Sequence, residues 1–229
     1  MRLEIRDLTK EYKRNKIPFA AVNKVNMDIG SGDFISIIGR SGSGKTTFLN
    51  IIAGLLKPDS GSVSLDGRSI LTLPDREASL LRNTQIGYVP QGQSLLANLT
   101  VLENVSLPLY LFKHEGDPEE DAVRALALLE QVGISHLAAS YPKQLSGGEL
   151  RRVSIARSLI SKPELLIADE PTSDLDSETT ADIMELFRRI AGEGAAVLLV
   201  THELDTLEYG NRVYSMAGGN LTEQKAGEV

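Results

Sequence analysis

The chain has 229 residues, 41% of them apolar, with 31 acidic against 24 basic side chains and a net charge of -7. That composition supports a folded core and argues against a general nucleic-acid binder, which presents a basic face. No Cys is present, which rules out disulfides and thiolate metal sites and fits a reducing compartment.

The N-terminal stretch MRLEIRDLTKEYKRNKIPFA alternates polar and apolar residues as a strand does, and it holds no continuous apolar segment of secretion-signal type. Residues 34–38 (FISII) read as a buried strand and 45–54 as the helix that follows it. From about 92 to 160 the pattern changes: Pro108, Gly116 and Pro118 punctuate it, and EEDAVRALALLEQVG carries helical apolar spacing. This predicts a helical subdomain over 92–160, inserted into a sheet domain formed by 1–91 and 161–220. Two further buried strands are predicted at 165–169 (LLIAD) and 196–201 (AVLLVT), placing all three in one parallel sheet of an α/β fold. The polar tail, 221–229, is expected to fray. The longest apolar runs, such as AAVLLV at 195–200, fall far short of the roughly 20 residues that span a bilayer. Any membrane role is therefore expected to run through a partner.

The chemistry begins at GRSGSGKTT, Gly39–Thr47, between a predicted strand and a predicted helix. Glycines let the backbone aim successive N–H groups at a β-phosphate, and the helix N-terminus adds favourable potential. Gly39, Ser41, Gly42, Ser43, Gly44, Lys45, Thr46 and Thr47 are the nucleotide-binding candidates. Lys45 is suited to the β- and γ-phosphates, and the Thr46 hydroxyl to Mg²⁺. LLIADEPTSDLD, 165–176, supplies acids at a strand end. Asp169 is suited to hold Mg²⁺ through water, and Glu170 to orient or deprotonate the attacking water. His202 ends another buried strand on the same sheet edge and is assigned a γ-phosphate contact. His114 and His136 read as ordinary structural or surface residues. Gln91, after a short apolar strand, can donate and accept at once, which suits contact with Mg²⁺ and the attacking water.

A second phosphate-like loop, QLSGGELRR at 144–152, has a Ser and two glycines before a predicted helix but no invading Lys. Taken alone, it reads equally well as a helix start capped by Ser.

Together these residues resemble the ATPase subunits of ABC transporters. Gly39–Thr46 correspond to Walker A, Gln91 to the Q-loop, Leu145–Glu149 to the signature, Leu165–Asp169 with Glu170 to Walker B, Ser173–Asp176 to the D-loop and His202 to the His switch. They occur in that family's order, and the resemblance covers essentially the whole chain. It implies a P-loop NTPase (RecA-like) core with an N-terminal antiparallel β region and an inserted helical subdomain. It also implies ATP and Mg²⁺ as ligands, and a head-to-tail dimer in which Ser146, Gly147 and Gly148 grip the γ-phosphate held by a second copy. Tyr12 becomes the adenine-stacking aromatic, and Asp176 a link across the dimer. The signature departs from the commonest form by ending in Glu149, whose carboxylate is expected to point away from the phosphate.

The stretch 92–111 follows Gln91 where such ATPases receive a membrane permease, so most of its apolar residues are expected in the core and some in a docking groove. LTVLENVSLPL and ADEPTSDLD look most like the MacB/LolD-type branch, whose members drive lipoprotein release, drug export or peptide resistance. An import ATPase, or an FtsE-like module controlling cell-wall hydrolysis, is the alternative. The resemblance places the chain in the cytoplasm, peripheral on the inner face of the membrane.

Overall fold

A computed structural model describes residues 1–92, 94–111 and 117–224. Two long strands open it, β1 (Arg2–Arg14) and β2 (Ile17–Gly30), joined by Asn15 and Lys16, both at positive φ. Two consecutive left-handed residues give the twist that a two-residue hairpin needs, and the turn sets the register opposing Tyr12 to Phe19. β3 (Phe34–Ile38) leads through the glycine-rich loop into α1 (Lys45–Ile52). Then come β4 (Ser60–Leu65), β5 (Arg68–Ser69), α2 (Asp75–Gln85) and β6 (Ile86–Val89). The helical stretch holds α3 (Val101–Tyr110), α4 (Pro118–Gln131) and α5 (Gly147–Leu159). β7 (Leu165–Asp169), α6 (Ser177–Gly192), β8 (Ala196–Thr201), β9 (Arg212–Ala217) and β10 (Asn220–Gln224) complete the order.

Among the described residues the strands form two sheets: an antiparallel one ordered β2-β1-β4-β5, and a six-stranded one ordered β10-β9-β3-β8-β7-β6. The three strands expected from FISII, LLIAD and AVLLVT lie side by side and parallel as β3, β8 and β7. Their runs are apolar but for Ser36 and the terminal Asp169 and Thr201, because both faces are covered. Ile35, Ile37, Ile167, Leu198 and Val200 face one core, shared with α1 and the antiparallel sheet through Phe48, Leu49, Ile5 and Ile29. Phe34, Leu166, Ala168, Val197 and Leu199 face the other, shared with α3 to α6 through Val105, Leu129, Ile155 and Phe187. Alternation along each strand thus distributes consecutive side chains between two cores. The inserted helices share their core with the sheet.

Two expectations need correction. The segment after Asn220 does not fray at once: β10 pairs antiparallel with β9, Leu221 packs against the core, and the Gln224 amide donates to Ser215 Oγ at 2.7 Å. Pro108 does not interrupt the helical stretch but lies inside α3, its carbonyl accepting from Asn83 Nδ2 at 2.8 Å. Pro118 instead opens α4, with the Asp117 carboxylate accepting from the Glu119 amide. Gly116 and His114 fall outside the described residues, as does the tail beyond Gln224.

Candidate active site

α1 begins differently from its neighbours. Thr100, Asp117, Ser146 and Asp176 cap α3, α4, α5 and α6 with their side chains, and α2 carries Asp75 and Glu77 in its first turn. α1 starts at Gly44 with neither a side-chain cap nor a first-turn acid. Its open amides and the positive end of its dipole are thus left for an anion. Gly44 is required there: its φ is +110°, and a Cβ would sit 1.8 Å from the Ala21 carbonyl oxygen. At Gly39 a Cβ would lie 2.3 Å from the Met216 carbonyl oxygen. The loop is therefore pinned between β2 and β9. Lys45, 7% exposed, bonds back through Nζ to the carbonyls of Gly39 (2.6 Å) and Arg40 (3.2 Å), tracing the loop that a phosphate would fill.

The strand ends deliver the acids. Asp169, 1% exposed, closes β7 beside α1 and accepts a hydrogen bond from Thr46. Burial is the chief cause holding its carboxyl above the usual range, with Glu170 adding repulsion and the Thr46 bond, Lys45 and Arg151 opposing it. Its Oδ2 is buried without a hydrogen-bond partner. A hydroxyl and an orphaned carboxylate oxygen fit Mg²⁺, which is held by one or two protein groups together with phosphates and waters.

Glu170 sits at φ +50°, its amide fixed to the Val200 carbonyl at 2.9 Å. This left-handed turn at the strand end sets the residue's direction apart from that of Asp169. Glu170 Oε2 accepts from Gln91 Nε2 at 2.8 Å, and Oε1 lies 3.5 Å from His202 Nδ1. Tyr12, Ser41 to Thr47, Gln91 and Glu170 line one cavity of about 330 Å³. Gly39 joins them through Lys45, and His202 through Glu170.

Phe19 and Ala21 also line this cavity, and the sequence reading did not single them out. Phe19 stands opposite Tyr12, ring centroids 6.1 Å apart, so the aromatic wall is a pair. The signal was the hairpin register, which Asn15-Lys16 announces less clearly than Asn-Gly would.

Ser146, Gly147 and Gly148 do not line this cavity. Gly147 lines a different one, of about 310 Å³, with Gln91, Lys143, Arg151 and Asp174. A Cβ at Gly147 would meet open space, whereas at Gly148 it would press at 3.2 Å on the Asp174 carbonyl. Ser146 caps α5, and Glu149 completes a capping box. Glu149 folds back on the start of its own helix. Its Oε2 accepts from the Ser146 amide (2.6 Å) and hydroxyl (2.8 Å), bonds that hold its carboxyl below the usual range. Asp176 likewise spends its carboxylate on the Thr179 amide at the start of α6. His136 lies in a short 3-10 turn, Ser135–Leu137. In the 92–111 stretch, Val101, Val105 and Leu109 are buried while Leu96, Tyr110 and Leu111 are exposed.

A phosphate loop between β3 and an uncapped α1, facing two acids at the end of β7, defines a P-loop NTPase. The ABC transporter family model matches residues 22–173. The chain is 38% identical over 226 residues to YknY of Bacillus subtilis, an ABC transporter ATP-binding protein, covering 99% of this chain and 97% of that one. It is 41% identical to the lipoprotein-releasing system ATP-binding protein LolD 1 of Rhodopirellula baltica, covering 97% and 96%. The dimeric structure of the ABC transporter cassette MJ0796 of Methanocaldococcus jannaschii superposes with a TM-score of 0.92, at 38% identity, over 98% of this chain and 99% of that one. The chain therefore belongs to the ABC transporter family, as an ATP-hydrolysing subunit closely related to MacB/LolD-type ATPases. Among the described residues no helix is long and apolar enough to cross a membrane.

Proposed function

We propose that two copies of this chain close head to tail on two ATP molecules and that closure drives a separate permease of MacB/LolD type. The observation that carries the reading is the division of labour within one chain. The phosphate cavity holds Lys45, Gln91 and Glu170, while the open Gly147 faces a different cavity. A site completed by the Ser146–Gly148 loop of a second copy accounts for both.

ATP phosphates take the place of the Gly39 and Arg40 carbonyls at Lys45 Nζ and meet the free amides of α1. Thr46 and Asp169, with Gln91 beside them, would hold Mg²⁺, which would supply neutralisation of the phosphate charge. Glu170 accepts the proton of the attacking water, Gln91 and His202 orienting its two oxygens. Tyr12, with Phe19 beside it, offers its face to the adenine. Loss of the γ-phosphate removes the anion that both copies hold, and the dimer loosens. The exposed Leu96, Tyr110 and Leu111 are the surface offered to the permease, which keeps the chain peripheral on the cytoplasmic face of the membrane.

Glu170→Gln tests this. The amide oxygen keeps the Gln91 bond but takes up no proton, so turnover is expected to fall about 10²–10⁴-fold while ATP–Mg²⁺ converts monomer to dimer in mass measurements. Near-normal turnover refutes the base, and a dimer that Ser146→Arg does not abolish refutes the split site.

A further inference from the structure

α5 carries an arginine to which the nucleotide chemistry above gives no part beyond favouring the charge on Asp169. Arg151 is 7% exposed, and its guanidinium donates through Nη1 to the Pro90 carbonyl and through Nη2 to the Gln91 carbonyl, the latter at 2.6 Å. Nη2 also stands 3.5 Å from Asp174 Oδ2, whose side chain is 61% exposed. Six residues on, Arg157 donates through Nη1 to the Ser94 carbonyl at 2.8 Å and through Nη2 to Ser94 Oγ. One helix, the one that Ser146 caps, thus holds the chain at 90–91 and again at 94.

We propose that Arg151 is a positioning residue that sets Gln91 against Glu170. The backbone of Gln91 is held by Arg151 Nη2, and its side chain ends 2.8 Å from Glu170 Oε2. Gln91 is thus held at both ends, by its main chain and by its carboxamide. Two consecutive carbonyls accept from one planar fork, a task that a Lys ammonium, as a single point donor, does less specifically. Beside the guanidinium, which also favours the charge on Asp169, stands Asp174 in the loop after Glu170. It ties the placement of Gln91 to the same loop that packs on Gly148.

This inference rests on the reading of Gln91 and Glu170 given above, and a double-mutant cycle separates the two. Steady-state ATPase kinetics of the purified chain are compared for the parent, Arg151→Ala, Arg151→Lys, Gln91→Ala and both double variants. Monomer affinity is followed with a fluorescent ATP analogue, and folding by thermal melts. Each Arg151 variant is expected to lower kcat by about 10- to 100-fold, the scale of a misplaced catalytic group, with analogue affinity unchanged. In the Gln91→Ala background the same changes are expected to cost no more than about twofold. Equal losses in both backgrounds overturn the proposal, since a structural role is indifferent to the Gln91 side chain; so does full turnover in Arg151→Ala. If Gln91→Ala alone turns over normally, the role assigned to Gln91 falls and takes this inference with it. Should Arg151→Ala fail to fold, the Arg151→Lys arm carries the cycle with the same criteria.

Discussion

Replacing Glu149 by Gln is expected to tighten the ATP-bound dimer. Its carboxylate accepts from Ser146 Oγ at 2.8 Å, and that hydroxyl is the group assigned to the partner's γ-phosphate. That hydroxyl has one proton, so a phosphate oxygen that accepts it displaces the Glu149 bond and leaves the two anions about 4.5 Å apart across Ser146 Oγ. At that range, with water's dielectric appropriate to so exposed a carboxylate, repulsion is about 0.9 kcal/mol per unit charge. That is roughly fivefold in affinity at one site and, with two sites per dimer, about 20-fold in all. Gln preserves the capping box, so α5 keeps its start. Hydrogen bonding from Ser146 already holds the Glu149 carboxyl below the usual range, so its charge and the repulsion persist at every pH above that range and fade only in acid below it. The assay is the dimer dissociation constant with ATP–Mg²⁺ by analytical ultracentrifugation, Glu170→Gln against Glu170→Gln/Glu149→Gln. A double variant that dimerises no better, or worse, refutes the electrostatic argument.

Asp169→Asn should abolish Mg²⁺-dependent turnover yet raise the melting temperature of the nucleotide-free protein at pH 7. The folded carboxyl sits above its unfolded value, so ionisation costs stability as pH rises through that range, and the cost is full above it. A variant that melts lower than its parent at pH 7 refutes this. Phe19→Ala should weaken nucleotide binding by roughly 0.5–1.5 kcal/mol, the worth of an aromatic pair. An unchanged titration in Phe19→Ala, where Tyr12→Ala weakens binding, removes Phe19 from the base platform.

The sequence by itself determined the chemistry that is local. A P-loop needs glycines, a Lys and a Thr within nine residues, and the strand before and helix after it are announced by their own apolar periods. The strand ends at Asp169 and at Thr201, with His202 just beyond, were legible for the same reason, since a run of apolar residues that stops at a polar one marks both the strand and its edge. The sequence does not show contacts between distant segments, because no local pattern encodes them. Only the tertiary structure could decide that Phe19 faces Tyr12, because a two-residue turn of Asn and Lys sets that register. It alone decided that Leu221 extends the sheet, its side chain finding a core no neighbour in sequence reveals. The same holds for the Glu149 carboxylate, which turns back to cap its own helix because two unsatisfied Ser146 donors lie closer than solvent. Arg151 is the clearest case: in the chain it is one more charge on a helix, and only folding sets it under two carbonyls sixty residues away. Burial then makes those bonds costly to lose, which is what turns a surface-type residue into part of a site.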